Sequence, residues 1–277
     1  MSLLSTDEFH IMLYPDRFVL SHLRHEFTMR RAARRMLANR VVPARAGGDI
    51  PWSGAVAALE TELSGEAGKR SRAAVFLSNH LVRYTLVPWS DALSSEEEEI
   101  AATRQCFRNI YGDVADSWEL RLSPGKAGAA QLASAVDTRL PDALSDMFAH
   151  LGVDMASLQP QLMAVYNANR VSLRDRSAWL LVQEPGSLCL TRLQRGAWAS
   201  VRMLRIGSDW MEELPLILER EAYLADSDEL PDEVLLCAPQ YDEAVWPAKQ
   251  RWKLQALQLP VPGALLPKHD ECRLTAN

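Results

Sequence analysis

Residues 73–121 constrain the fold of this chain most, because two apolar runs and a proline precede a strong helix start within them. Residues 73–77 form a short apolar run typical of a buried strand, and residues 81–87 form a second run rich in β-formers. Pro88 has no N–H for a ladder hydrogen bond, so the second strand is predicted to end there.

A helix start follows the proline. Ser94 is suited to the N-cap, and Glu97 lies three residues later, which is the spacing of a capping box. The acidic run at residues 96–99 falls in the first turn, where the helix dipole favours negative charge. Gly112 can adopt the left-handed conformation that commonly ends a helix.

The pattern after the helix start completes the unit. Apolar residues recur at helical spacing, which predicts a helix over residues 95–111 that packs Phe107 and Ile110 inward. A strand is predicted at residues 118–122. The unit is therefore strand, turn, strand, proline, capped helix and strand.

Length and composition limit the class of protein. The chain has 277 residues, which is enough for one large domain or two lobes, and its net charge of −6 argues against a general nucleic-acid binder. No apolar run approaches the roughly 18 residues that span a bilayer, and no secretory signal is evident. The four cysteines are scattered without a C-x-x-C pair, which favours reduced core thiols and a cytoplasmic location.

The order of elements resembles the actin-like proteins of type IV pilus and type II secretion machines, namely the PilM and MshI type and the cytoplasmic domain of the GspL type. The matching segments are residues 86–88, 94–99 and 100–122, and the resemblance continues more weakly over most of the chain. It implies a two-lobed α/β actin-like (RNase H-like) fold with mixed sheets flanked by helices.

The resemblance also implies a domain organisation. The N-terminal lobe is expected at residues 1–150, with a small inserted subdomain around residues 88–125, and the C-terminal lobe at residues 151–277. Turn and periodicity signals predict further elements along both lobes. These are an opening hairpin at residues 10–23, helices near residues 53–65, 141–151, 160–166 and 209–224, and strands at residues 155–158, 178–182, 188–193, 198–206 and 233–238.

In nucleotide-binding relatives, the first hairpin turn carries Asp-x-Gly, in which the acid organises Mg²⁺ and the glycine lets backbone N–H groups approach phosphate. The corresponding turn here holds Pro15 and Asp16 and contains no glycine. Asp16 is either a displaced remnant of that acid or, as we prefer, an ordinary turn residue.

The second phosphate loop is expected between the strands at residues 178–182 and 188–193. Glu184 and Gly186 remain there, but Pro185 lies between them and removes an N–H. The glycine pair that packs against adenosine in relatives is replaced by Pro239 and Gln240. We therefore interpret Asp16, Glu184 and Gly186 as vestigial nucleotide-loop positions and predict no catalytic residue, cofactor or metal.

The most basic part of the chain is interpreted as a solvated strand-and-loop face, and the alternative is docking to an anionic membrane or an acidic partner. His22 and His25 lie within it and are interpreted as surface histidines rather than metal ligands, because no third ligand has matching spacing. The arginines concerned are Arg24, Arg30, Arg31, Arg34, Arg35, Arg40 and Arg45.

The sequence thus predicts a non-catalytic actin-like scaffold or adaptor at the cytoplasmic face of a pilus or secretion assembly. The resemblance implies a membrane-anchored protein partner, bound through a short cytoplasmic peptide, with neither nucleic-acid binding nor direct membrane insertion. Two alternatives stay open. One is an active actin-like ATPase that uses Asp16 and Glu184, and the other is an unrelated α/β enzyme.

Overall fold

The structure is a computed structural model of the chain. It describes residues 4–28, 31–45, 47–66, 71–93, 95–225, 230–238 and 251–257. The strands and helices in these ranges are, in chain order, β1 (Leu4–Leu13), β2 (Arg17–Thr28), β3 (Arg31–Pro43), α1 (Ser53–Ser64), β4 (Arg72–Leu77), β5 (Arg83–Val87), α2 (Glu96–Tyr111), a 3₁₀ helix (Gly112–Ser117), β6 (Trp118–Leu122), β7 (Gln131–Asp137), α3 (Arg139–Leu151), β8 (Asp154–Pro160), α4 (Gln161–Leu173), β9 (Ala178–Glu184), β10 (Ser187–Gln194), β11 (Ala197–Arg205), α5 (Trp210–Leu224), β12 (Glu233–Cys237) and β13 (Lys253–Ala256).

The described residues fall into two compact units. The first comprises residues 4–81 and 138–161, and the second comprises residues 82–137 and 162–257. These limits differ from the lobe limits predicted at residues 1–150 and 151–277, which remain a prediction of the domain organisation. None of the helices in the described ranges is both long and apolar enough to cross a membrane.

The first unit is built on a five-stranded sheet in the order β3-β2-β1-β4-β8. β1, β2 and β3 are antiparallel neighbours, whereas β4 runs parallel to both β1 and β8. Helices α1 and α3 pack against each other, α1 also contacts β2, and α3 also contacts β8. α3 ends at Gly152, which has φ +66° as predicted for a helix-terminating glycine.

The second unit contains a five-stranded sheet in the order β11-β10-β9-β12-β13 and a three-stranded sheet in the order β5-β7-β6. β9, β12 and β13 are parallel, and β10 is antiparallel to both of its neighbours. Leu214 and Leu218 of α5 belong to the same buried cluster as Trp179 and Trp252. The indole nitrogen of Trp179 donates a hydrogen bond to the carbonyl oxygen of Pro231 at 3.1 Å.

Helix α2 corrects two details of the sequence prediction. Its N-cap is Ser95 rather than Ser94, which lies outside the described residues, and the Ser95 hydroxyl accepts a hydrogen bond from the Glu98 N–H. The N-cap is therefore one residue later than predicted, and Glu98 takes the position three residues after it. Phe107 is buried as predicted, but Ile110 is 59% exposed because α2 buries little more than one narrow side against the small sheet.

Several other elements lie where they were predicted, although strand β3 was not predicted and α4 extends beyond residue 166 to Leu173. The strand pair before Pro88, the strand after α2, the three-strand meander β9-β10-β11 and strand β12 all occur where the apolar runs predicted them. Residues 129–136 are small residues that fit either a strand or a helix start, and the structure places the strand β7 there from Gln131. Residues 245–259, whose pattern fits either a last helix or a strand pair, lie largely outside the described residues, and their described part contains β13.

Candidate functional site

The three parallel strands of the first unit end at one edge of the sheet. Leu13 of β1 pairs with Leu77 of β4, and Leu77 pairs with Pro160 of β8. Ligands of open α/β sheets bind outside the carboxyl ends of the strands. The residues that immediately follow these three strands are therefore the candidate site of this unit.

Buried polar side chains occupy this edge. Ser78 and Asn79 follow β4, and Gln161 follows β8, and all three are almost completely buried. The Ser78 N–H donates to the Leu13 carbonyl at 2.9 Å, which ties the ends of β1 and β4 together. The amide oxygen of Gln161 accepts no hydrogen bond from any residue that the structure describes. A buried polar atom of this kind is uncommon in folded proteins.

The turn between β1 and β2 contains the first predicted site residue. The Tyr14 N–H donates to the Arg17 carbonyl at 2.9 Å, and Pro15 has no N–H. The Asp16 side chain is 59% exposed, and its Oδ2 lies 3.1 Å from the Arg17 guanidinium. The main-chain carbonyl of Asp16 accepts from the Ala44 N–H at 2.8 Å. This turn offers an exposed, paired carboxylate and few free N–H groups.

The turn between β9 and β10 contains the other two predicted site residues. Pro185 and Gly186 form its tip, and Gly186 has φ +74°, as a glycine at the third position of a type II turn requires. The Gly186 carbonyl accepts from the Ile206 N–H at 3.2 Å. Glu184 closes β9 and is completely buried. A carboxylate in this position is not an exposed metal ligand.

Glu184 lies in a buried ionisable cluster of the second unit. Burial, together with the nearby Glu184 carboxylate, raises the pKa of the Cys189 thiol and raises the pKa of Cys237 to about 12. Burial likewise raises the pKa of Tyr84 well above its usual value, with Cys189 and Glu184 adding to the effect. Both thiols are free and stay protonated at neutral pH, so neither is an activated nucleophile.

The residues of the two turns fit Mg-nucleotide poorly. An actin-like site needs an accessible acid and clustered backbone N–H groups at each turn. Asp16 is accessible but already paired, Glu184 is buried, and a proline lies in each turn. The third predicted position, Pro239 and Gln240, lies outside the described residues.

His22 differs from its predicted surface position. It is buried, its Nε2 lies 2.9 Å from Asp7 Oδ1, and its Nδ1 lies 3.5 Å from Glu66 Oε2. His25 is partly exposed, with its Nε2 2.5 Å from Glu8 Oε2. Within the ranges that the structure describes, no three histidine, cysteine or acidic side chains are placed to hold a metal ion.

The buried polar residues at the first unit's edge were missed by sequence reasoning. Ser78 and Asn79 fall in the turn predicted between two strands, and Gln161 falls in the helix predicted near residues 160–166. The signal that would have found them is their position directly after three strands that end in register. Which strands are parallel neighbours is a non-local property, so this signal becomes visible only with the topology.

Comparison by sequence returns nothing. No family model matches the chain. No curated protein matches it either.

Comparison by structure gives clear similarities. The cytoplasmic domain of EpsL, an inner membrane component of the type II secretion system of Vibrio cholerae, matches with a TM-score of 0.56 at 12% identity, over 93% of this chain and 91% of that one. A chain of the PilM-PilN type IV pilus biogenesis complex matches with a TM-score of 0.57 at 17% identity, over 83% of this chain and 80% of that one. These similarities confirm the predicted fold: the chain has the two-lobed α/β actin-like fold of the PilM and GspL type.

Proposed function

We propose that this chain is a non-catalytic actin-like scaffold or adaptor of a type IV pilus or type II secretion assembly. The observation that carries the proposal is the match to the EpsL cytoplasmic domain, which extends over nearly the full length of both chains. That protein is described as an inner membrane component of its secretion system, and the other match comes from a pilus biogenesis complex.

The chemistry of the two turns supports the non-catalytic half of the proposal. Phosphate-binding turns work through backbone N–H groups and an acid-held cation. Asp16 is engaged by Arg17, and Glu184 is enclosed among Tyr84, Cys189 and Cys237. Both prolines remove donors from the turns that would need them.

The partner in this proposal is a membrane-anchored protein of the same assembly, bound through a short cytoplasmic peptide. The supporting observation is that the PilM-type match is a complex of PilM with PilN. The chain would then work in the cytoplasm, at the inner membrane, through that partner.

An affinity capture from detergent-solubilised native membranes tests the function. We expect the tagged chain to retain an inner-membrane protein encoded beside pilus or secretion genes, and we expect the retained protein to bind again when both are purified. Retention of none of these proteins would contradict the proposal.

The competing function is an active ATPase that uses Asp16 and Glu184 in unusual turns. The observation in its favour is that an acidic residue stands at the end of β9, where parallel strands place site residues. Nucleotide binding separates the two functions.

A further inference from the structure

Strand β3 is an unusually long sheet edge. It contains 13 residues, from Arg31 to Pro43, and it pairs with β2 along nearly all of them. No other strand in the described part of the chain pairs with it. Among the described residues, therefore, no strand hydrogen-bonds to the outer row of backbone N–H and C=O groups of β3, and this row can accept an added strand.

Every charged residue of this edge strand is basic. Residues 31–43 include Arg31, Arg34, Arg35 and Arg40 and no acidic residue. Two of these positions face basic residues of β2, because Arg35 pairs in register with Arg24 and Arg34 pairs with His25. β3 itself is therefore basic, whereas β2 also contains Glu26, which pairs in register with Ala33.

Two of the basic residues of β3 and β2 are already paired with acids of the first unit. Arg40 contacts Glu62 and Glu66 of α1, each at 2.6 Å. Asp7 of β1 accepts a hydrogen bond from Arg24 at 2.9 Å. Arg35, by contrast, is exposed and forms no hydrogen bond or ion pair with any residue that the structure describes. Its charge is available to a binding partner.

The middle of the edge also exposes apolar surface. Met36 is 42% exposed and Leu37 is 39% exposed. The register with β2 shifts here, because Met36 pairs with Leu23 and Ala38 pairs with His22, so Leu37 is the extra residue of a bulge. A partner strand would cover both side chains.

We propose that β3 binds an extended acidic segment of a partner protein, which adds to the sheet as a sixth strand. Backbone hydrogen bonds to β3 would supply affinity, as they do when peptides add to sheet edges. Arg35 would select an acidic side chain on the added strand, because unlike charges stabilise cross-strand pairs and like charges destabilise them. The same rule disfavours pairing of β3 with a second copy of itself.

This inference rests on the proposed adaptor function and names the surface that the adaptor uses. Arginines on an edge strand also prevent aggregation without binding anything. The two roles differ in one respect that can be measured. A purely protective edge does not bind an acidic strand, whereas a docking edge does.

The probe is a fluorescent peptide of about ten residues with alternating Glu and Thr, a length matched to the exposed edge. Its control carries N-methyl groups on every second residue, so it keeps the charge but cannot form the ladder on one side. We expect saturable binding of the Glu/Thr peptide to the full chain by fluorescence anisotropy. We expect the N-methylated peptide to bind about tenfold more weakly than the Glu/Thr peptide. The Glu/Thr peptide should also slow backbone hydrogen exchange at residues 35–42.

A matched pair of variants tests the role of charge. Arg35→Glu should weaken binding of the Glu/Thr peptide about fivefold, since it replaces attraction with repulsion at the edge. Arg174→Glu, which changes an exposed arginine in the second unit, should leave binding unchanged. Equal binding of the N-methylated and unmodified peptides, absence of binding, or an unchanged affinity of Arg35→Glu would each overturn the proposal.

Anionic phospholipid vesicles distinguish a membrane from a peptide. Arg35-dependent sedimentation with vesicles, without binding of the Glu/Thr peptide, would replace this proposal with a membrane-facing edge. The membrane capture described above separates this inference from the function. If Arg35→Glu retains the assembly protein as well as the wild-type chain does, the function stands and the edge inference fails. If the wild-type chain retains none of the assembly proteins, the proposed function fails. The peptide-binding result alone then decides whether β3 binds an added strand.

Discussion

The backbone nitrogen of Asp175 lies so close to Gly196 that a Cβ placed on Gly196 would be only 2.7 Å from that nitrogen. Gly196 has φ +75° and forms the tip of the β10–β11 hairpin with Arg195, which has φ +50°. The Gly196 N–H donates to the Arg176 carbonyl at 2.8 Å. The hairpin tip therefore packs directly on the backbone that precedes β9.

Replacement of this glycine tests the contact. Gly196→Ala should lower the free energy of unfolding by about 2–3 kcal/mol, because it adds a backbone clash to the cost of a positive φ. Gly186→Ala is the matched control, since Gly186 has φ +74° with nothing within 4 Å of its added Cβ, and it should cost about 1 kcal/mol. Urea unfolding measures both. Equal losses would show that the hairpin tip does not pack on Asp175.

The small sheet of the second unit depends on Phe107. This side chain is fully buried in a cluster with Val87, Leu120 and Ala133. Phe107→Ala should cost about 3–5 kcal/mol through lost burial and the cavity that remains. Ile110→Ala, on the exposed side of the same helix, should cost less than about 0.5 kcal/mol. Thermal unfolding of the two variants checks the difference, and a large loss for Ile110→Ala would restore the inward packing that the sequence predicted.

Asp7 should make the stability of the first unit depend on pH. Burial acts to raise the pKa of Asp7, but hydrogen bonds and charge from Arg24 and His22 outweigh burial and hold this pKa below its usual value. A lowered folded-state pKa means that the stabilisation is fully present above the unfolded-state value of about 3.9 and is lost as pH falls through the folded-state value.

The Asp7→Asn variant tests this pH dependence of stability. The variant should be less stable than the wild-type chain at pH 7, by about 1–2 kcal/mol for the loss of a charged acceptor. Urea titrations at falling pH should show the two proteins converging below about pH 4, because the wild-type carboxyl becomes neutral there. A stability difference that is the same at pH 7 and at the lowest pH would contradict this assignment.

Nucleotide binding separates the scaffold from the ATPase. Each missing charge-assisted hydrogen bond costs roughly 1.5–3 kcal/mol, and each 1.4 kcal/mol weakens binding about tenfold. Because a ligand stabilises a protein only as its concentration exceeds its dissociation constant, we expect no change in Tm with about millimolar Mg-ATP. A saturable upward shift that Asp16→Ala or Glu184→Ala abolishes would favour the ATPase.

Local sequence determined most of the element order. Pro88 ended β5, the serine-glutamate run started α2, and Gly152 ended α3, because each of these effects depends on a few adjacent residues. The resemblance carried by these elements was sufficient to predict the actin-like fold, although the identity to the matching structures is 12–17%. The prolines in the β1–β2 and β9–β10 turns could likewise be read directly from the sequence.

Tertiary structure decided what those elements bury and which polar groups meet. The charge of β3 was evident from its arginines, but its position at a sheet edge depended on pairing between β1 and β4, which are distant in sequence. Ile110 matched the apolar period of α2 yet faces outward, since one helix covers only a small sheet. Gln161 and Ser78 lie at one edge only because three parallel strands end in register, and such register is a product of long-range packing.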